Sequence, residues 1–188
     1  MNPFILASLA ALLFCGCAHF QKPAAKHQET LGSGKSEIRN NAASLLYELL
    51  GDEKDVSKIL IIKRNSDELG RLIKSVSAAA AVNYKQLKQL AAVDPTLNLN
   101  LMALPPGEKA ARAAIAKTKE RELLSASGRE FEFKLLLTQA EALSYGWHLA
   151  KIVAENSSSV EQVQKFTALS QQLENLYGRV IARIHQDK

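Results

Sequence analysis

Disulfides, aromatic bulk and chain-breaking residues are all scarce in this 188-residue chain. Its two cysteines, Cys15 and Cys17, both stand near the start, so no disulfide can staple the long remainder of the chain. Aromatic residues make up 6% of the chain, and the five prolines gather at Pro3, Pro23 and the central Pro95, Pro105 and Pro106. Glycine is sparse outside joints, while alanine and leucine are plentiful. That composition argues for helices and against a sandwich or barrel. Reaction signatures are missing as well. No Gly-x-Ser-x-Gly elbow is present. The stretch Gly32-Ser33-Gly34-Lys35 lacks the spacing of a phosphate loop and reads as linker. No Glu-x-x-His occurs, although a di-iron bundle needs one on each of two helices. The net charge is +5, but the basic residues are interleaved with acids rather than concentrated, which speaks against nucleic acid as a partner.

The N-terminus carries the clearest positive signal. Residues 1–16 contain no charged side chain, and Phe4 to Phe14 read FILASLAALLF. That run suits a signal-peptide core and is too short for a membrane span of about 20 residues. The chain then turns polar, as QKPAAKHQETLGSGKSE. Cys-Gly-Cys is a poor zinc site without a second cluster, and a disulfide across one residue would be strained. Phe14-Cys15-Gly16-Cys17 instead resembles a bacterial lipobox, in which a small residue precedes an acylated cysteine. The expectation is a signal peptide over 1–16, lipidation of Cys17, and a tether over 17–35 carrying Pro23, Gly32 and Gly34. An ordinary cleaved signal followed by a free thiol is the alternative. Because Ala18 is not aspartate, the expected address is the periplasmic side of the outer membrane, or the cell membrane where there is no outer one.

Residues 36–188 are enough for one helical domain. Ser36 can cap a short helix that ends at Gly51, and Asp55 can cap VSKILIIKR. Four longer helices are expected over 66–93, 107–125, 129–155 and 159–186. The first has a seam of Leu69, Ile73, Val76, Ala80, Asn83, Leu87 and Leu90. The stretch DPTLNLNLMALPPGE is a long irregular connection, laid on the bundle by Leu97, Leu99, Leu101 and Leu104. The last helix is capped by Ser158 or Ser159 and has the seam Val163, Phe166, Leu169, Leu173, Leu176, Tyr177, Val180 and Ile184.

The helix over 129–155 has a broad apolar arc. Phe133, Leu137, Ala140, Leu143 and Trp147 share one side of it, so Trp147 is expected to be buried against the final helix near Phe166 or Leu173. Lys134, Glu141 and His148 share a polar stripe. His148 could pair with Glu141 or Ser144 through a ligand, although a solvated histidine is the simpler reading. His19, His27 and His185 lie toward the chain ends.

The run NSDELGRLIKSVSAAAAVNYKQLKQLAAVD, the LP beyond it, and FEFKLLLTQAEALSYGWHLAKIVAENSSSVEQVQKFTALSQQLENLYGRVI resemble in layout a ferritin-like family of exported bacterial proteins, DUF4142. The likeness covers roughly residues 56–186. It lies in helix lengths, the Ser66–Glu68 helix start and the paired final helices. It implies an all-α, four-helix ferritin-like bundle with extra short N-terminal helices. The family commonly carries histidines on its long helices, but this chain has Ala80, Leu143 and Leu176 or Tyr177 at about those places, so no catalytic, cofactor or metal residue carries over. The functional expectation is a non-catalytic, lipid-anchored module of the bacterial envelope, without a cofactor. It would meet the membrane through lipid on Cys17 and an envelope protein or wall polymer through a bundle face. The alternative is a ferritin-like metal-binding or oxidative-stress protein.

Overall fold

The computed structural model describes residues 31–100 and 104–186, with side chains from residue 34 onward. The described residues are helical throughout, joined by turns, with no strand among them. Helix α1 spans Leu31–Glu53. A 3-10 turn (Val56–Lys58) leads into the single turn α2 (Ile59–Ile62). Helices α3 (Asp67–Val93), α4 (Pro106–Ser125), α5 (Gly128–Glu155) and α6 (Val160–Gln186) complete the order. The four long helices thus run close to their expected ranges.

Helix α1 is the main departure. It is 23 residues long. It starts inside the stretch expected to be tether, and Ser36 sits within it rather than at its cap. Gly51 does not end it either. A glycine costs a helix roughly 1 kcal/mol relative to alanine but does not forbid helical backbone. Here the missing side chain lets Tyr84 pack close: a Cβ on Gly51 would stand 3.2 Å from Tyr84 Cε2.

Core positions lie on α1, α3, α5 and α6. On α1 they include Ala43, Leu46 and Leu50. The predicted α3 seam is buried from Leu69 to Leu87, with Leu90 partly covered. Most of the α6 seam is buried too, from Phe166 to Val180. Each such leucine or phenylalanine contributes about 1.5–3 kcal/mol of transfer free energy. Helix α4 was expected to share this core, but within its span only Leu123 is buried. Polar contacts hold it outside on α5. Lys119 pairs with Glu141, Arg112 donates to Tyr145 Oη, and Lys63 donates to the carbonyls of Leu124 and Ala126.

Cross-contacts fix the helix directions. Leu49 meets Gly146 while Glu53 lies beside Gln139, so α1 and α5 are antiparallel. Tyr47 meets Tyr84 and Ser77 meets Lys54, so α1 and α3 are antiparallel. Ser170 bonds the Trp147 carbonyl while Arg183 reaches Glu132, giving the same relation between α5 and α6. One end of the molecule therefore gathers the start of α1, the ends of α3 and α5, and the start of α6.

The helix ends are specified locally. Ser66 Oγ accepts from the Leu69 amide, at 3.4 Å. A carboxylate from another helix completes this cap: Glu132 accepts from the Ser66 N–H at 2.6 Å and from its hydroxyl at 3.0 Å. Ser159 Oγ accepts from the Gln162 amide, as the capping pattern predicts. Asp55 forms no side-chain cap and pairs with Lys58 instead. After α3, Asp94 accepts from the Thr96 amide and hydroxyl, which turns the chain. The connection is then pinned to α1, where Arg39 donates to the Thr96 carbonyl and Ser44 to the Asn98 carbonyl. Leu97 is buried and Leu99 partly so, as expected of a segment laid on the bundle. Leu101 lies outside the described residues.

Candidate functional site

Cys17, the expected lipidation site, lies outside the described residues, as do the signal segment and most of the tether. The His148–Glu141 pairing does not form. Glu141 turns to Lys119 on α4. His148 is exposed, its Nδ1 stands 2.7 Å from the Ser144 carbonyl, and its ring lies against Trp147. Trp147 is half-buried rather than buried and packs against the core, while Phe133 and Leu137, expected beside it, are 44% and 41% exposed. Helix α6 meets α5 at Glu132, Gly146 and Trp147, and α4 meets it at Glu141 and Tyr145.

Two polar features have no counterpart in the sequence reading. The first is a groove of about 440 Å³ between α1 and α3, lined by Tyr47, Glu48, Asp52, Lys54 and Tyr84 among others. The two tyrosine rings stack with centroids 4.4 Å apart, and Tyr47 donates a 2.8 Å hydrogen bond to Tyr84 Oη. Ionising Tyr47 would break that bond, which with some burial pushes its pKa up to about 12. Lys54 Nζ sits over the Tyr84 ring and donates to the Gly51 carbonyl. Burial, with Glu48 nearby, pushes the Asp52 carboxyl up to about 7, and Lys54 opposes that shift. The i, i+4 spacing of Glu48 and Asp52 is visible in the sequence, but nothing there places Tyr84 beside them.

The second feature lies inside the bundle. Glu53, near the end of α1, and Gln139, on α5, are both buried, Gln139 fully. Glu53 Oε2 and both polar atoms of the Gln139 amide find no hydrogen-bond partner in the protein. One signal was available: Gln139 stands four residues after Leu135, on the apolar stripe of α5.

The seam between α3 and α6 is the least closed of those around the core. Asn83 bridges it by donating to Gln172 Oε1 at 2.7 Å. On one side of that bond lies a groove of about 440 Å³, lined by Leu87, Leu90, Val93, Phe166 and Leu169 with polar neighbours. A second, of about 450 Å³, is lined by Ala79, Val82, Leu176 and Arg179 among others.

Among the described residues no three His, Cys, Asp or Glu side chains gather into a metal-holding group. No described helix is long and apolar enough to cross a membrane. No family model, no curated protein and no solved structure matches the chain.

Proposed function

We propose that this protein is a non-catalytic, lipid-anchored helical module of the bacterial envelope that works by protein or wall contact through the α3–α6 face. In this reading α1, α3, α5 and α6 form a ferritin-like four-helix bundle, and α4 lies against its outside. The observation that carries the reading is the open α3–α6 seam. Here Val82 and Val93 stand 55% and 80% exposed beside apolar grooves, whereas other exposed apolar side chains, such as Ile61 and Phe133, line neither groove. Exposed apolar surface beside open grooves is the kind of surface on which a partner docks. The start of α1 lies at the same end as Val93, so a tether from Cys17 would leave the bundle where the groove opens.

Photo-crosslinking in cells tests this. A crosslinking residue at Val82 or Val93 is expected to give adducts with envelope protein or wall material, and one at exposed Lys117 on α4 is not. Equal labelling from all three positions contradicts the reading. The ferritin-like metal-binding alternative has no donor group among the described residues to favour it. Elemental analysis of purified protein tests it, and near-stoichiometric iron or manganese would restore it.

A further inference from the structure

We propose that Glu53 and Gln139 form an internal proton-binding site that makes the α1–α5 contact sensitive to pH. Glu53 is 8% exposed and Gln139 fully buried, and they lie side by side where α1 crosses α5. Three of their polar atoms lack a protein partner. The neighbouring Gln139 amide favours the ionised form, but no well-formed hydrogen bond reaches Glu53 Oε2, so a carboxylate there bears most of its desolvation cost, whereas a neutral carboxylic acid bears little and gains an O–H donor. The Gln139 carbonyl Oε1 is an acceptor for that donor.

Among the described residues no cation is placed to compensate the Glu53 carboxylate. On α1 the neighbouring charge is Asp52, a like charge. On α5 the facing group is the uncharged Gln139 amide, while Glu132 is engaged with Ser66 and Glu130 with Lys134. In the connection after α1, Lys54 and Lys58 both pair with Asp55. On α3 the nearby group is the Ser77 hydroxyl, which donates to the Lys54 carbonyl. On α6 Arg183 is held by Glu132 and Glu68. Burial accordingly raises the Glu53 pKa to about 7, with the Gln139 amide opposing and Asp52 assisting.

The unfolded chain binds this proton only below the ordinary glutamate range, and the folded chain keeps it up to about pH 7. The stabilising protonation is therefore fully present at acid pH and is lost as pH rises through 7. Ionised Glu53 would draw water toward the α1–α5 crossing and loosen the end of α1.

Two measurements on the full chain test this. The first is the unfolding equilibrium followed from pH 5 to pH 8. It should shift toward the unfolded state, with Glu53 contributing on the order of tens-fold. Glu53→Gln should remove that contribution, and Asp52→Asn should remove only the separate share belonging to Asp52, whose carboxyl is also raised to about 7. The second is infrared difference spectroscopy of Asp52→Asn, which should show a protonated-carboxyl carbonyl band at pH 6 that is absent once Glu53→Gln is added. In the unmutated protein the same band should appear beside that of Asp52 even if a variant folds poorly. An unfolding equilibrium that keeps its full pH dependence in Glu53→Gln, or the lack of a protonated-carboxyl band at pH 6, overturns the proposal.

Discussion

Gly146→Ala should destabilise this protein, although alanine is the better helix former. Gly146 lies in α5 where Leu49 of α1 and Leu173 of α6 both come close. An added Cβ would stand 2.9 Å from Leu49 Cδ2 and 3.2 Å from Leu173 Cδ1. Both leucines are almost fully buried, so their tips have little room to retreat. Overpacking of this kind costs about 1–3 kcal/mol. The helix-propensity gain of alanine over glycine returns about 1 kcal/mol. The net expectation is a loss of about 1 kcal/mol. Gly178, on the exposed face of α6, isolates the propensity contribution, because a Cβ there meets nothing within 4 Å. Gly178→Ala should therefore stabilise by about 0.5–1 kcal/mol. Urea unfolding followed by far-ultraviolet circular dichroism measures both. Adding Leu49→Ala to Gly146→Ala should give strong non-additivity, since the two changes share one space. If Gly146→Ala proves as stabilising as Gly178→Ala, the close three-helix crossing does not exist as described.

Glu132→Ala should cost about 2–3 kcal/mol in the same assay, because it strips a charged acceptor from the Ser66 cap; a cost below 0.5 kcal/mol, about the size of an ordinary surface change, would show that the inter-helix cap contributes little. Phe131→Ala should cost about 3–5 kcal/mol, as for a fully buried aromatic, and Trp147→Ala distinctly less, since Trp147 is half-buried. Native tryptophan fluorescence should show intermediate quenching by iodide; complete protection would put Trp147 in the core after all. In an alkaline spectrophotometric titration one tyrosine should ionise near pH 12, and Tyr84→Phe should lower that value by removing the Tyr47 hydrogen bond. Since the folded value is the raised one, this bond stabilises the fold below the ordinary tyrosine pKa and is lost as pH climbs through 12. A wild-type titration near pH 10 for every tyrosine would contradict the stacked pair.

Period and capping carried most of the fold. The steps of four and three from Leu69 to Leu87 predict the buried side of α3, and Ser66 and Ser159 mark the starts of α3 and α6. Helix α4 is legible as a helix but not as a peripheral one, because its docking depends on Lys119, Arg112 and Lys63 meeting partners far along the chain. Helix α1 is longer than its sequence suggests. Gly34 and Gly51 look like boundaries there, and the packing of Tyr84 on Gly51 is a tertiary fact. Local spacing puts Phe133 and Leu137 with Trp147, yet it cannot say how far round α5 its neighbours extend. Of the polar features, the Tyr47–Tyr84 and Glu53–Gln139 pairs each join residues from different helices. No linear spacing encodes such a meeting.

The intact mass of the protein extracted from membranes is the most direct test of the proposal that this helical body is a lipid-anchored envelope module. The expected result is a mature chain beginning at Cys17 and carrying acyl mass, and Cys17→Ser should leave an unlipidated precursor. A mature N-terminus elsewhere, with no acyl mass, would contradict it.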